Sequence, residues 1–364
     1  MTYHPALDRT ALGWLLGDGS GTRPRAMSPP EAAETCRFLR RNWRILPLTL
    51  PRLLEIPGAG DDETVAELAD IAESVQAWAR LQIRYTGVVA TELDGAGVPY
   101  ALLKASALRS FYPCPERRGA MDIDIAVPAA HLRAAEEVAR AQGFLPAAYD
   151  RATGTFRLAR PHERAIVEAQ HYELAQLVRR QRVELPAATH QAVVRTMRHM
   201  QWHPPSWHLT ADGELACYLA LDVHHGLSPE IPVTELVAGA QPGPPGPGQV
   251  RLPPTAWLAL HLIYKIYWEG VHSYRKGGYQ YADLIRILPH LDATAARELT
   301  GLLRRYHLVA AGYYVLRRLV GEFGLSVDAE LEAFLEEAAV PPIGADPLEA
   351  NDLGDMWPKL WGLR

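Results

Sequence analysis

Apolar positions recur at intervals of three and four through Val65, Leu68, Ile71, Val75, Trp78 and Leu81, which predicts a long helix from about Asp61 to Leu93 with one buried face. Upstream, Ser28-Pro29-Pro30-Glu31 has the form of an N-cap, proline in the first turn and a capping-box acid. It opens a helix carrying Cys36, Phe38, Leu39 and Trp43 towards Pro47. Asp94-Gly95-Ala96-Gly97 ends the long helix, and the period then changes. Pro99 to Leu103 suits a short buried strand, and Ala105 to Tyr112 a helix broken by Pro113-Cys114-Pro115. Asp122-Ile123-Asp124-Ile125-Ala126-Val127 alternates at its start and is the clearest strand in the chain. Pro128 opens a helix through Arg140, with Gly143 placed to close it. Further strands are expected near Thr155–Leu158, Ala165–Glu168 and Arg182–Leu185.

Beyond that stretch the pattern reads as helical again. Gln241 to Gly248 holds seven prolines and glycines in eight positions, a loop or linker. Helices are expected at Ala256–Tyr267, Tyr279–Leu288, Ala293–Tyr306 and Val309–Phe323. The expected organisation is therefore α+β, a small mixed-sheet core at residues 95–190. It is flanked by an N-terminal helical region at 1–94 and a C-terminal helical domain at 191–364.

Composition narrows the function classes. The chain has 364 residues, 48% hydrophobic and 22% charged, as in globular proteins and unlike disordered ones. A net charge of −5 argues against a dedicated DNA-coating protein while leaving room for a local basic groove. Cys36, Cys114 and Cys217 are widely spaced, which excludes a disulfide framework or zinc ribbon and fits a reducing cytoplasm. The N-terminus lacks the charged and apolar regions of a signal peptide. The apolar stretch Ala256–Trp268 contains His261 and Lys265 and is too short to span a membrane, so no membrane partner is expected. Only four lysines stand against 33 arginines, so each lysine draws notice.

Asp122 and Asp124 carry the chemistry. Residues i and i+2 of a strand share a face, which sets two carboxylates about 6–7 Å apart while Ile123 and Ile125 point into a core. Like charges at a buried strand end need compensation, and a divalent cation with substrate phosphates supplies it. Solvation, or pairing with Arg117 and Arg118, is the competing reading. Upstream, Leu102-Leu103-Lys104-Ala105-Ser106-Ala107-Leu108 runs from a strand into a helix start, where backbone N–H groups and a small hydroxyl can meet phosphate.

The stretch from Leu102-Leu103-Lys104-Ala105-Ser106 through Phe111-Tyr112-Pro113 and Arg118 to Asp122-Ile123-Asp124-Ile125-Ala126-Val127, closed by Gly143-Phe144, resembles the bacterial uncharacterised nucleotidyltransferase family of the polymerase-β superfamily. The likeness covers about 45 residues, and more loosely extends to the abortive-infection and toxin branch. It implies transfer of a nucleotide from a nucleoside triphosphate such as ATP to a hydroxyl or other nucleophile of a small molecule, peptide or RNA end, with Asp122 and Asp124 holding two Mg²⁺ ions. The acidic net charge favours a small-molecule or peptide acceptor over nucleic acid. It further implies Lys104, Ser106 and Arg118 as phosphate ligands or electrostatic support. Gln181-Arg182-Val183-Glu184-Leu185 is similar to the family's strand with a third acid, making Glu184 the candidate and Glu168 its rival. One departure is Ala105, where the family has glycine. Gln280-Tyr281-Ala282-Asp283-Leu284 resembles the family's C-terminal segment; near it Tyr264, Tyr267, Trp268 and Tyr274 offer stacking surfaces, and Arg275 and Lys276 offer phosphate contacts. His224-His225, and His203 with His208, read as structural, having no familiar zinc spacing around them. A phosphoryl-transfer or natural-product-modifying enzyme and a non-catalytic nucleotide-binding protein are the other readings.

Overall fold

Ser28 opens the first helix as its sequence suggests: the Glu31 carboxylate accepts from both the Ser28 backbone N–H (2.8 Å) and its hydroxyl (2.7 Å). The computed structural model describes residues 14–16, 26–150, 155–199, 207–244, 249–272 and 278–338. They fall into two compact units, one drawn from Met1–Ala69 and Thr255–Arg364, the other from Asp70–Pro254. Helix α1 (Pro29–Arg41) and α2 (Leu46–Leu53) are followed by α3 (Asp62–Gly95), the long amphipathic helix expected from the periodicity.

The Asp70–Pro254 unit is built around a sheet. Its strands are β1 (Ala101–Leu102), β2 (Ile123–Ala126), β3 (Leu145–Asp150), β4 (Thr155–Leu158), β5 (Leu177–Arg182), β6 (Trp207–Leu209) and β7 (Leu215–His224). The spatial order is β1-β2-β7-β5-β3-β4, with β6 also paired to β7. One pair, β2 with β7, is parallel and the rest are antiparallel, so the sheet is mixed as expected. Its central strand, β7, lies past residue 190 in a segment whose pattern reads as helical. Eight of its ten residues are buried, so both faces are covered and the period-2 signal vanishes.

Helix α4 (Lys104–Leu108) connects β1 to the loop before β2, and α5 (Leu132–Ala141) follows β2. Gly143 adopts φ +80 and ends α5 with two paired bonds, Gly143 N–H to the Arg140 carbonyl (2.9 Å) and Phe144 N–H to the Ala139 carbonyl (3.1 Å). A Cβ at Gly143 would meet Arg179 only at 3.5 Å, so its cost is conformational. Gly143→Ala is expected to lower stability by about 1 kcal/mol in urea denaturation; an unchanged midpoint would contradict the left-handed cap.

Residues Ala165–Glu168, expected as a strand, belong instead to α6 (Pro161–Gln170). Pro161 sits at the first helical position, and the Glu163 carboxylate accepts from the Arg160 N–H (2.7 Å) and from Arg157. This local start signal outweighs the short apolar run. The strand expected at Arg182–Leu185 lies earlier, as β5. Helix α7 (Ala187–His199) leads towards β6. A ribbon of β8 (Gly226–Ser228) and β9 (Ile231–Pro232) precedes α8 (Thr234–Ala238). A second ribbon pairs β10 (Gln241–Pro242) with β11 (Arg251–Leu252), so the expected loop begins as a strand; residues 245–248 of it lie outside the described residues.

The other unit's C-terminal part is helical, as expected: α9 (Thr255–His272), α10 (Gly278–Ile287), α11 (Ala293–Arg305), α12 (Val309–Phe323) and α13 (Ala329–Ala338). Among the described residues no helix is long and apolar enough to cross a membrane. All three cysteines are free thiols, Cys36 and Cys217 buried.

Candidate active site

Parallel pairing of β2 with β7 fixes the geometry. Asp124 and Asp222 are direct partners across the pair, and Ala126 is the partner of His224. Side chains of in-register neighbours share a face, so Asp124, Asp222 and His224 project together, while Ile123 and Ile125 are buried on the other side. One ligand atom from each of the three lies within 4.8 Å of the others.

Asp124 is 1% exposed. Its Oδ1 accepts from the Lys104 ammonium (2.5 Å) and lies 3.0 Å from His224 Nε2, while its backbone N–H donates to the Ser106 hydroxyl (3.1 Å). Its Oδ2 is buried and has no hydrogen-bond partner among the described residues. Asp222 accepts from Gln176 Nε2 (3.0 Å). Asp122, half-buried just before β2, adds its field to both Lys104 and Asp222. Burial, then the charges of Asp122 and Asp124, push the Asp222 carboxyl well above the usual range. Burial disfavours the Lys104 ammonium, yet Asp124, Asp122 and Asp222 together raise its pKa.

The carboxylates of Asp122, Asp124 and Glu173 and the Lys104 ammonium all act on Asp222, and the buried imidazole of His224 joins them. A buried anionic excess of this kind is costly without further positive charge. The oxygen-rich donor set and the orphaned Asp124 oxygen fit a divalent cation.

Lys104 opens α4 at φ +44, an uncommon conformation for a residue with a side chain. The left-handed position therefore falls on Lys104 itself. Ala105, which replaces the expected glycine, is an ordinary buried residue of the helix. Ser106 is buried, and its hydroxyl oxygen is engaged by Asp124, so it braces the strand rather than facing solvent. Arg118 is likewise buried, with its guanidinium on the Gly119 carbonyl and its own carbonyl accepting from Arg109 Nε (2.9 Å).

Glu184 is exposed beyond the end of β5. The neighbouring Val183 N–H bonds the Leu215 carbonyl at the start of β7, and Asp222 lies seven residues further along, about 23 Å at a strand's rise. Glu168 is exposed on α6, paired with Arg164. The acid set beside Asp124 is Asp222. Arg275 and Lys276 lie outside the described residues. In the helical unit, Tyr264 stacks on Trp268 (6.0 Å), Arg44 covers the Tyr279 ring (4.4 Å) and Tyr281 is buried.

Motif reasoning passes over Asp222 and Glu173, and His224, which the sequence reads as structural, stands in the acid cluster instead. A signal did exist: Asp222-Val223-His224 repeats the i, i+2 spacing of Asp122-Ile123-Asp124. It is obscured because the preceding Leu219-Ala220-Leu221 is wholly apolar.

Residues 37–321 match the family described as uncharacterised nucleotidyltransferase, and the chain belongs to that family. A solved antigenic nucleotidyltransferase-like protein from Paracoccidioides brasiliensis is similar over 69% of this chain and 96% of its own, at 13% identity and a TM-score of 0.33. No curated relative matches.

Proposed function

We propose that the protein transfers a nucleotide from a nucleoside triphosphate to a hydroxyl or other nucleophile of a small molecule or peptide. The observation that carries the proposal is the in-register Asp124–Asp222 pair, in which the buried Asp124 keeps an oxygen without a hydrogen-bond partner among the described residues. Asp122, Asp124 and Asp222 would hold a divalent cation, and carboxylates alone suit Mg²⁺. Such a cation, when bound, neutralises triphosphate oxygens and favours attack at phosphorus.

The chain's own groups do the rest. Ser106 fixes the height of Asp124 on its strand. Lys104 offers a second positive charge to phosphate at the start of α4. The acceptor oxygen bonds to the α-phosphorus as the bond to the β-phosphate oxygen breaks, and pyrophosphate leaves. The acceptor's proton passes to the Asp222 carboxylate, the acid beside Asp124 on the parallel partner strand. A net charge of −5 favours an acceptor other than a nucleic-acid backbone.

Incubation of the full chain with each α-labelled triphosphate, Mg²⁺ or Mn²⁺ and candidate acceptors is expected to release pyrophosphate and label one acceptor class. Orthophosphate and diphosphate as products would instead establish phosphoryl transfer. Nucleotide binding without any product would make the protein a binder.

A further inference from the structure

His224 is 2% exposed at the end of the central strand, and its two ring nitrogens face different partners. Nδ1 lies 3.2 Å from Glu173 Oε2, on the segment that bridges to β7 beside it. Nε2 lies 3.0 Å from Asp124 Oδ1 and 3.3 Å from the Lys104 ammonium. With the ring neutral and its proton on Nδ1, facing the Glu173 carboxylate, Nε2 presents an in-plane lone pair to the site. Two acceptors, Nε2 and Asp124 Oδ1, then face each other at 3.0 Å, and the Lys104 ammonium stands within reach of both. A carboxylate on one imidazole nitrogen and a cation at the other is the arrangement that orients metal-bound histidines.

We infer that His224 Nε2 is a metal ligand beside Asp124 and Asp222, and that the imidazole shifts the preference of the site from Mg²⁺ towards a first-row transition cation such as Mn²⁺. The inference rests on the cation site of the transferase reading and adds a nitrogen donor to it. Mg²⁺ favours all-oxygen shells and gains little from imidazole, whereas transition cations accept it readily. Asp124 Oδ2, buried and without a hydrogen-bond partner among the described residues, is the carboxylate oxygen open to that cation. Glu173 acts through His224 as a positioning residue.

The test uses the full chain with Mn²⁺ alone, without nucleotide. Pulsed electron paramagnetic resonance of the bound ion is expected to show coupling to a histidine ¹⁴N, lost in His224→Asn. Competition against Mg²⁺ should show Mn²⁺ binding weakened about 100-fold in His224→Asn and about tenfold in Glu173→Gln, with Mg²⁺ affinity changed much less. The wild-type spectrum decides the matter even where the buried variant folds poorly. Bound Mn²⁺ without nitrogen coupling, or coupling that persists in His224→Asn, overturns the imidazole ligand and leaves the transferase reading standing. Failure of both ions to bind removes the cation site that the two share.

Discussion

Asp124→Asn is expected to reduce nucleotide transfer by at least about 10³-fold, as is Asp222→Asn, while Glu184→Gln stays near wild type. Replacing a carboxylate by an amide keeps volume but removes one anionic charge and puts an N–H₂ donor where a cation should be held. The effect is largest at Asp124, which Lys104, His224 and the unpartnered oxygen all converge upon. Folding should survive, because asparagine keeps the volume and an acceptor oxygen for Lys104, and the Asp122 and Asp222 charges still face that ammonium. Steady-state turnover read beside a thermal melt separates the two effects. Full activity in Asp124→Asn, or a collapse of activity in Glu184→Gln, would refute the pairing of β2 with β7 as the reactive edge.

Trp78→Ala is the second large effect, and it acts on stability. Trp78 is 2% exposed on α3, its Nε1 donates to the Ala120 carbonyl (2.8 Å) and its ring meets Trp207 edge-on at 5.6 Å. Removing a buried indole costs about 3–5 kcal/mol through lost burial and the remaining cavity. The freed Ala120 carbonyl adds to that, since its other donor, Gln82 Nε2, is at 3.4 Å. Trp78→Phe fills most of the space and should lose less than half as much. Ala120 stands two residues before Asp122, so the alanine variant should also lose activity at temperatures where it is still folded. A loss under about 1 kcal/mol in chemical denaturation would show that the helix does not anchor this loop.

How much of this was legible beforehand depended on exposure. The α3 helix and β2 each have one face unlike the other, so their periods stand out in the sequence. Asp122 and Asp124 were visible for that reason, the alternation with isoleucine setting both on one side. Strand β7 has apolar residues on both faces through Leu221, so nothing in Leu215–Leu221 separates a strand from a buried helix. Its Asp222 and His224 were hidden with it. Glu184 drew attention because Val183-Glu184-Leu185 looks like the end of a strand; register alone, which no local pattern encodes, sends it to the far end of β7. Ser106 and Arg118 stand out by their chemistry, and each bonds backbone near the acids, a contact that no local pattern encodes.

Asp124 and His224 stand 100 residues apart in the chain, joined across a parallel strand pair that only a long crossover can bring together. Distant pairings of that kind form late, after the local helices and hairpins. Until the central strand docks, a nascent or partly unfolded chain therefore holds Asp124 apart from Asp222 and His224.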